Sequence, residues 1–518
     1  MIEYRGVPTD TREPEPEHQM QDREVELKFQ IPPDAIAHLE EHPLLTAALE
    51  SEENFLHSVY FDTPQAELRK NGFVWRIRTI GERHIQTIKA IAEGIGRHEW
   101  ECDVDVDQPN VKCLKKASAN AVLFRKGYAK HLAPVFLTEV DRRLWNVEHD
   151  GSLIEISLDR GRVVAGEASA SLCEVEFELK QGAPRGLFFV AQAFVAALPL
   201  KLDFLPKSHT GHRLAEGRSG PDTEPPKPGL RADMPLSEGF RALCKACLCH
   251  LMVNEPILVA TRDPEALHQT RTAVRRLRAV LRVFARHVKD EALPGLRDEF
   301  KWLSRVLGMA RDLDVMSSDF AAHRKTAGIA QSMTENRANA YERVIEAFGS
   351  ARYRRLLLDF GQWLECGPWT TQRPRKQSRG TFQDICLLEC ARWDRKLLAR
   401  GAHISNLDAE DRHKIRIQAK SFFYVCELTE RILTGGRRGS HKKYLKALKA
   451  LQATLGQLND AHVAQETARA LVGDYNGEDL EQAAKNAATR HARKESKLID
   501  DARDAYKDFA AAPRAWVE

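Results

Sequence analysis

Residues 24–29 read EVELKF and residues 174–180 read EVEFELK. In both, charged and apolar residues alternate, the two-residue period of a strand whose faces meet different surroundings. Glu24, Glu26 and Lys28 share one face and Val25, Leu27 and Phe29 the other; Glu174, Glu176, Glu178 and Lys180 alternate with Val175, Phe177 and Leu179. Arg97, Glu99 and Glu101 repeat the arrangement in RHEWEC. One such strand is an ordinary solvent-facing strand of an open sheet. Several bring same-parity carboxylates together, and these repel one another unless a cation or Arg and Lys side chains stand between them.

The surrounding sequence, residues 22–212, reads mostly with period two in short segments bounded by Gly, Pro and Asp. Eight or nine antiparallel strands are predicted, at 24–31, 56–61, 73–80, 84–90, 97–103, 137–145, 153–158 and 172–180. Residues 33–49 and 187–197 read as helices packed outside or across the end of the sheet. Basic residues complement the carboxylates: Arg76 and Arg78 on one face of FVWRIRTI, then Lys89, Arg142, Arg143 and Lys207. Hard cations such as Mg²⁺ or Mn²⁺ take oxygen ligands and share them with phosphates, and Arg and Lys suit phosphate oxygens. A closed barrel of about eight strands has room inside for side chains or one small ligand. A lumen holding both charge types reads as a site for metal and polyphosphate.

Residues 215–235 (AEGRSGPDTEPPKPGLRADMP) lack periodicity and read as an interdomain linker. From Leu236 the apolar spacing becomes helical, with helices predicted at 239–251, 264–287, 296–307, 312–326 and 333–348. HQTRTAVRRLR at His268 recurs as HKIRIQAKSFF at His413, and LGMARDLDV at Leu307 as LGQLNDAHV at Leu455, so a duplicated four-helix unit is expected. His268, Arg271, Arg275 and Arg278 fall on or beside one helical face, and His413, Arg416 and Lys420 repeat the spacing. A basic face of that kind is ordinarily solvated; its duplication favours a bound polyanion. Arg276 and Arg278 have no counterparts in the second repeat, so the surface is expected to be asymmetric. Trp302 and Tyr424 read as core residues near it.

The ExExK of Glu24–Lys28, YFDT at Tyr60–Thr63, RIR at Arg76–Arg78, Lys89, RxExE at Arg97–Glu101, Arg142, ISLDRG around Asp159 and ExExE at Glu174–Glu178 together resemble the CYTH superfamily, the triphosphate tunnel metalloenzymes. The resemblance implies an eight-stranded antiparallel β-tunnel over residues 22–214. Glu24, Glu26, Glu174, Glu176 and Glu178 would hold one or two Mg²⁺ or Mn²⁺ ions. Lys28, Arg76, Arg78, Lys89, Arg97, Arg142 and Lys207 would bind the phosphate chain. Glu24, Glu26 and Lys28 would be catalytic, with Glu99 or Glu101 a candidate to position the attacking water. PKSHTGHRL at Pro206 departs from the family, which more often has Ser-Lys followed by an acidic residue and Arg.

The helical half, with RDLDV at Arg311–Val315 and LNDAHV at Leu458–Val463, resembles the CHAD domain over residues 236–510. That implies an all-α duplicated four-helix bundle whose His, Arg and Lys residues line a surface for inorganic polyphosphate. The fold class is therefore α+β multidomain: a disordered tail at 1–21, the tunnel, the linker and the bundle. The activity implied is metal-dependent hydrolysis of inorganic triphosphate to diphosphate and phosphate. A nucleoside or thiamine triphosphatase, a class IV adenylate cyclase and a polyphosphate scaffold with an idle tunnel are the alternatives.

The 518 residues carry a net charge of +4, with 43% hydrophobic and 29% charged content, as a globular protein does. No apolar run of bilayer-spanning length is read from the sequence, nor an apolar leader, and a cytosolic location without a membrane partner is expected. The ten cysteines are scattered, and Cys102, Cys173 and Cys426 lie in apolar-patterned segments, so reduced core thiols are expected. Cys244, Cys247, Cys249 and His250 diverge on a single helix and are not read as a zinc site. No base-reading motif supports a nucleic acid partner.

Overall fold

The computed structural model describes residues 23–48, 51–90, 96–110, 131–223, 227–321, 327–371, 380–434, 438–473, 496–514 and 516. The predicted tail at 1–21 lies outside them. Among the described residues nine strands run in the order β1 (Arg23–Gln30), β2 (Ser51–Asp62), β3 (Phe73–Ile80), β4 (Arg83–Ala90), β5 (Gly96–Val104), β6 (Ala133–His149), β7 (Ser152–Ala165), β8 (Ala168–Gln181) and β9 (Lys201–Leu202). The sheet order is β5-β4-β3-β2-β6-β7-β8-β1-β9, and a further β5–β1 pairing closes the first eight strands into a ring. Closure removes the edges of the sheet and gives it an interior face. The strand pairings β1–β5, β1–β9, β2–β3, β2–β6, β3–β4, β4–β5, β6–β7 and β7–β8 are antiparallel.

The last long strands exceed their predicted lengths, at 17, 14 and 14 residues for β6, β7 and β8. The apolar–polar alternation weakens at their ends, where turn chemistry fixes the pairing instead. Asp150 and Gly151, both at positive φ, close the β6–β7 hairpin and set His149 opposite Ser152. Gly166, also at positive φ, closes β7–β8 with Ala165 opposite Ala168. These two tight loops set the register along the hairpins, with one shift on β7 between Leu153 and Ile154.

Helices are α1 (Ile36–Glu40), α2 (Pro43–Thr46), α3 (Glu67–Lys70), α4 (Pro184–Ala197), α5 (Lys207–Ala215), α6 (Leu236–Thr261), α7 (Pro264–Val283), α8 (Ala292–Ala321), α9 (Ala327–Gly349), α10 (Ala351–Cys366), α11 (Phe382–Gly401), α12 (Ala409–Leu428), α13 (Glu430–Leu433), α14 (Arg438–Gly473) and α15 (496–511). The helices predicted at 296–307 and 312–326 are one, α8, because Gly308 weakens a helix without breaking it. The helix predicted over 33–49 is instead a 3₁₀ turn followed by α1 and α2.

Packing divides the chain into two discontinuous units. The first holds the chain up to Leu27, Ala47–Ala183 and Lys207–Gly217; the second holds Lys28–Thr46, Pro184–Pro206 and Arg218 onward. Thus α4, expected against the sheet, belongs to the helical unit and packs on α10. The stretch read as a linker is packed as well: Leu230 and Met234 are buried, and the Met234 carbonyl accepts from Phe382 N at 2.7 Å.

In the barrel unit, Leu56, Tyr60, Phe136, Val140, Val163, Ala165 and Leu172 form a core cluster. Helix α5 lies on it so closely that a Cβ at Gly211 would stand 2.2 Å from the Phe136 ring. In the helical unit, Phe240 packs edge-on to Phe284, Trp363 and Trp369. Both repeats start alike: Asp263 caps α7 by accepting from Glu265 and Ala266 N, and Asp408 caps α12 by accepting from Asp411 N.

Two sequence expectations need correction. Cys102 is disulfide-bonded, while the other described cysteines are thiols. Helix α6 is long and apolar enough to cross a membrane by length and composition, although 72% of its most apolar window is buried within the protein. The sequence reading missed it because Asn254, Glu255 and Pro256 interrupt the apolar run. Cys244 and Cys247 on that helix are core residues, and His250 Nε2 lies 3.3 Å from the Asp222 carbonyl oxygen.

Candidate functional site

The two hairpin registers place Arg142 opposite Asp159 and Asp159 opposite Glu174, one row across β6, β7 and β8. The neighbouring row carries Ser157 opposite Glu176. Arg142 grips Asp159 with two bonds, Nε to Oδ1 at 2.6 Å and a terminal nitrogen to Oδ2 at 2.6 Å, and that nitrogen also donates to Glu176 Oε2 at 2.8 Å. Lys207, the first residue of α5, brings its ammonium 2.6 Å from Asp159 Oδ2, 2.7 Å from Glu176 Oε1 and 3.4 Å from Glu174 Oε2. A lysine at a helix N-terminus opposes the helix dipole. Three carboxylates outweigh that here.

Burial favours the neutral forms of Lys207 and Arg142, but Asp159 and Glu176 reverse this and raise both cations above their ordinary values. Asp159 is 1% exposed, and burial alone would push its carboxyl up; Lys207 and Arg142 outweigh burial and hold it below the usual range.

Next to β6 in the ring, β2 and β3 pair Tyr60 with Arg76 and Ser58 with Arg78. Arg76 then sits in register with Thr87 on β4 and Glu101 on β5, with Thr87 Oγ1 donating to Glu101 at 2.8 Å and Arg76 lying 3.9 Å from the same carboxylate. Val74, Lys89 and Glu99 form the next row. Burial lowers Arg78 to about 10, and Arg76 and Arg142 add to the effect. Its Nε is buried without a hydrogen-bond partner among the described residues. Burial would raise the Tyr60 phenol, yet Arg76, Lys207 and Arg78 pull it below its ordinary value. Three cations thus bear on the Tyr60 hydroxyl, within a neighbourhood where Arg76, Arg78, Arg142 and Lys207 are matched by Asp159, Glu174, Glu176 and Glu101.

Of the residues read from the sequence, Arg76, Arg78, Arg142, Lys207, Glu101, Glu174 and Glu176 are therefore brought into one electrostatic neighbourhood. Glu178 engages Lys180 at 2.9 Å, and Lys180 also lies 3.1 Å from Glu155. Glu26 is half-buried on β1. Lys28 Nζ donates to the Leu205 carbonyl and lies 3.8 Å from Asp203. Glu24 and Arg97 face each other in register on β1 and β5, but their side chains, and that of Glu99, lie outside the described residues. Asp159 and Tyr60 went unassigned in the sequence. The Asp150-Gly151 turn was the available signal for Asp159, because its register alone sets Asp159 opposite Arg142.

The donor set suits a hard divalent cation, since Glu174, Glu176 and Asp159 offer oxygen alone. Among the described residues, no three such side chains stand as a ligating group around an empty point. Their carboxylates converge on Lys207 instead.

In the helical unit, α7 packs on α12, so the two repeated basic faces are neighbours. Arg275 is lowered to about 10 by burial, with Arg271, Arg416 and Arg278 among its repelling neighbours. A Cβ added at Gly308 would lie 4.0 Å from Arg271 Nε, and one at Gly456 would lie 3.9 Å from Arg416 Nε, so each repeat seats its arginine on the equivalent glycine. Burial, then Arg311, Arg271 and Arg275, lowers His268. His413 and Lys420 are half-buried on α12. Arg276 points elsewhere, to Glu427 at 2.7 Å and the Tyr424 ring at 5.6 Å. Trp302 stacks with Arg352 at 4.1 Å.

Residues 22–202 match the CYTH domain and residues 242–469 the CHAD domain. The inorganic triphosphatase of Haemophilus influenzae is 32% identical over 187 residues, which is 35% of this chain and 51% of that protein. The chain thus spans about half the length of this curated relative. The solved CHAD domain of the plant Ricinus communis is 29% identical and covers 57% of this chain and 99% of its own, with a TM-score of 0.47. A putative adenylyl cyclase from Hippeastrum, described as having a dominant triphosphatase activity, is 16% identical and covers 38% of this chain and 98% of its own, with a TM-score of 0.28.

Proposed function

We propose, for a chain that carries a CYTH domain followed by a CHAD domain, metal-dependent hydrolysis of inorganic triphosphate in the barrel and binding of inorganic polyphosphate by the helices. The observation that carries the reading is the meeting of Lys207 and Arg142 with Asp159, Glu174 and Glu176 on adjacent strands of a closed barrel. The relative from Haemophilus influenzae supports it. A cytosolic location goes with this reading.

Glu24, Glu26, Glu174, Glu176 and Glu178 would hold Mg²⁺ or Mn²⁺. When bound, such an ion neutralises phosphate charge and activates water. Arg76, Arg78 and Arg142 would donate to phosphate oxygens and stabilise charge on the transferred phosphoryl group, and Lys28, Lys89 and Arg97 would bind the rest of the phosphate chain. Lys207 stays protonated and can exchange its carboxylate partners for phosphate. Glu101, held by Thr87 beside Arg76, or else Glu99 would orient the attacking water. No covalent nucleophile is needed. On the helices, His268, Arg271, Arg275, Arg278, His413, Arg416 and Lys420 would bind the longer polyanion.

The test is phosphate release from tripolyphosphate, ATP, thiamine triphosphate and long-chain polyphosphate, with Mg²⁺ or Mn²⁺ and with EDTA, for the wild type and Glu24→Gln/Glu26→Gln. Metal-dependent release mainly from tripolyphosphate, lost in the variant, is expected. If no substrate is cleaved while long polyphosphate still binds, the chain is a scaffold and the enzymatic reading is wrong.

A further inference from the structure

The basic stripe on α7 is longer than the face its repeat shares. Arg271, Arg275, Arg278 and Arg282 follow at spacings of four, three and four residues on one side of the helix, a span of about 16 Å at the α-helical rise. At its far end, α7 and the first turns of α8 border a cleft of about 320 Å³ lined by Arg278, Arg282, Pro294, Arg297, Asp298 and Lys301. Arg278 donates to Ser304 Oγ at 2.9 Å and Arg282 to Ser421 Oγ at 3.1 Å, both neutral acceptors. Arg297 and Lys301 stand exposed on the rim. Among the described residues none of these four cations has an ion-pair partner, although Asp298 shares the cleft. Burial lowers Arg278, helped by Arg282, Arg297 and Arg305, and burial followed by Arg297 lowers Arg282.

The second repeat has no such cleft chemistry. Phe423 and Glu427 occupy the positions of Arg278 and Arg282, Leu445 and Ala453 those of Arg297 and Arg305, and only Lys301 has a cationic counterpart, Lys449. A duplicated bundle has therefore gathered extra cations on one side alone, with a cavity among them. Half-buried arginines held by neutral hydroxyls keep their forks oriented while leaving their charge to an external anion.

We infer that the cleft between α7 and α8 is a phosphate pocket peculiar to the first repeat, which holds one end of a polyphosphate chain laid along Arg271 and Arg275. The inference rests on the polyphosphate reading above and gives the bound chain an anchored end. A short chain can occupy one end of the stripe or the other; a long chain occupies both.

The experiment is titration of the full chain with long-chain polyphosphate and with tripolyphosphate at several salt concentrations. The variants are Arg297→Ala/Lys301→Ala, whose side chains are exposed and outside the core, and Arg282→Gln. Long-chain binding about tenfold weaker in the double variant is expected, from the loss of two rim contacts of about threefold each, towards the upper range for exposed charges, with a shallower decline with salt. Tripolyphosphate hydrolysis and the circular dichroism melt should not change, and Lys449→Ala should weaken long-chain binding less than about twofold, the scale of an exposed charge. Wild-type affinity and salt slope in the double variant would overturn the pocket while leaving the polyphosphate reading intact. So would an equal loss in Lys449→Ala, because it would make the surface symmetric. Equal or tighter binding of a single-stranded oligonucleotide, with the same loss in the variant, would overturn the assignment in favour of a phosphodiester ligand. If the wild type itself binds no long-chain polyphosphate, both the pocket and the reading beneath it fall.

Discussion

The chain holds two clusters of basic residues built on opposite electrostatic principles. In the barrel, Lys207 and Arg142 lie against Asp159, Glu174 and Glu176, and both cations are raised above their ordinary values. On α7, Arg275 has Arg271, Arg278 and Arg416 as neighbours, and its guanidinium is lowered to about 10, with burial the largest cause. The first cluster carries its own counter-charge, so a ligand must exchange partners with groups already in place. Such a site can order phosphate and metal together, which suits chemistry. The second has cations crowded onto one another, and an incoming polyanion relieves repulsion that the fold leaves standing. That suits retention rather than reaction.

The largest effect that would break this contrast belongs to the barrel carboxylates. Glu174→Gln/Glu176→Gln should lower metal-dependent phosphate release about 1000-fold, at the upper end of what removing preorganised charge does. Binding of long polyphosphate to the same variant should stay within about twofold of wild type. If binding collapses too, the clusters are not independent and the comparison fails.

Next in size is Asp159→Asn, which leaves Lys207 and Arg142 with one fewer carboxylate in a buried site. It should destabilise the protein by about 3 kcal/mol at pH 7, the lower range for breaking a buried pair, measured by urea denaturation followed through tryptophan fluorescence. Because the folded carboxyl is held below its unfolded value of about 3.9, its contribution is present above roughly pH 4. It vanishes as pH falls through the folded value. Wild type and variant should therefore converge in acid; a constant gap down to pH 2 would mean the charge is not what stabilises the site.

Arg275→Ala sharpens the other half of the contrast. Long-chain polyphosphate binding should weaken about tenfold, on the scale of one charge-assisted contact. Stability should hold or rise slightly, since the variant relieves repulsion. A marked loss of stability would show that Arg275 serves the fold and is not kept for a ligand.

How much of this could be read in advance differs between the clusters for a physical reason. A helical face is local, so spacing alone gathered Arg271, Arg275 and Arg278; Arg276, counted with that surface from the sequence, turns away instead to Glu427. A barrel site is assembled across strands, and period two tells only which face a residue shares. It found Glu174 and Glu176 but not their partner Asp159, whose place depends on turn-fixed register. Lys207, in the segment that departs from the family pattern, nevertheless stands at the centre of the carboxylates. The spacing of the repeats foretold a basic face repeated with asymmetry; Gly308 beside Arg271 and Gly456 beside Arg416 were visible as letters but not as seats for guanidinium groups.

The smallest expected effect separates a ligand-facing histidine from a merely buried one. Burial and the charges of Arg311, Arg271 and Arg275 hold His268 below its ordinary value in the unbound protein. A polyanion laid along α7 cancels those charges and raises the imidazole again, so binding takes up a proton wherever the pH lies between the unbound and bound values. Affinity for long polyphosphate should then increase as pH falls from about 7.5 to 5.5, by roughly threefold for one partly titrating group. Calorimetry in two buffers of different ionisation enthalpy should register the proton uptake, and His268→Gln should flatten both the pH dependence and the buffer difference. Were the wild type to bind with no proton uptake and a flat profile, His268 would not face the phosphate chain, and the contact surface would have to begin further along α7, at Arg271.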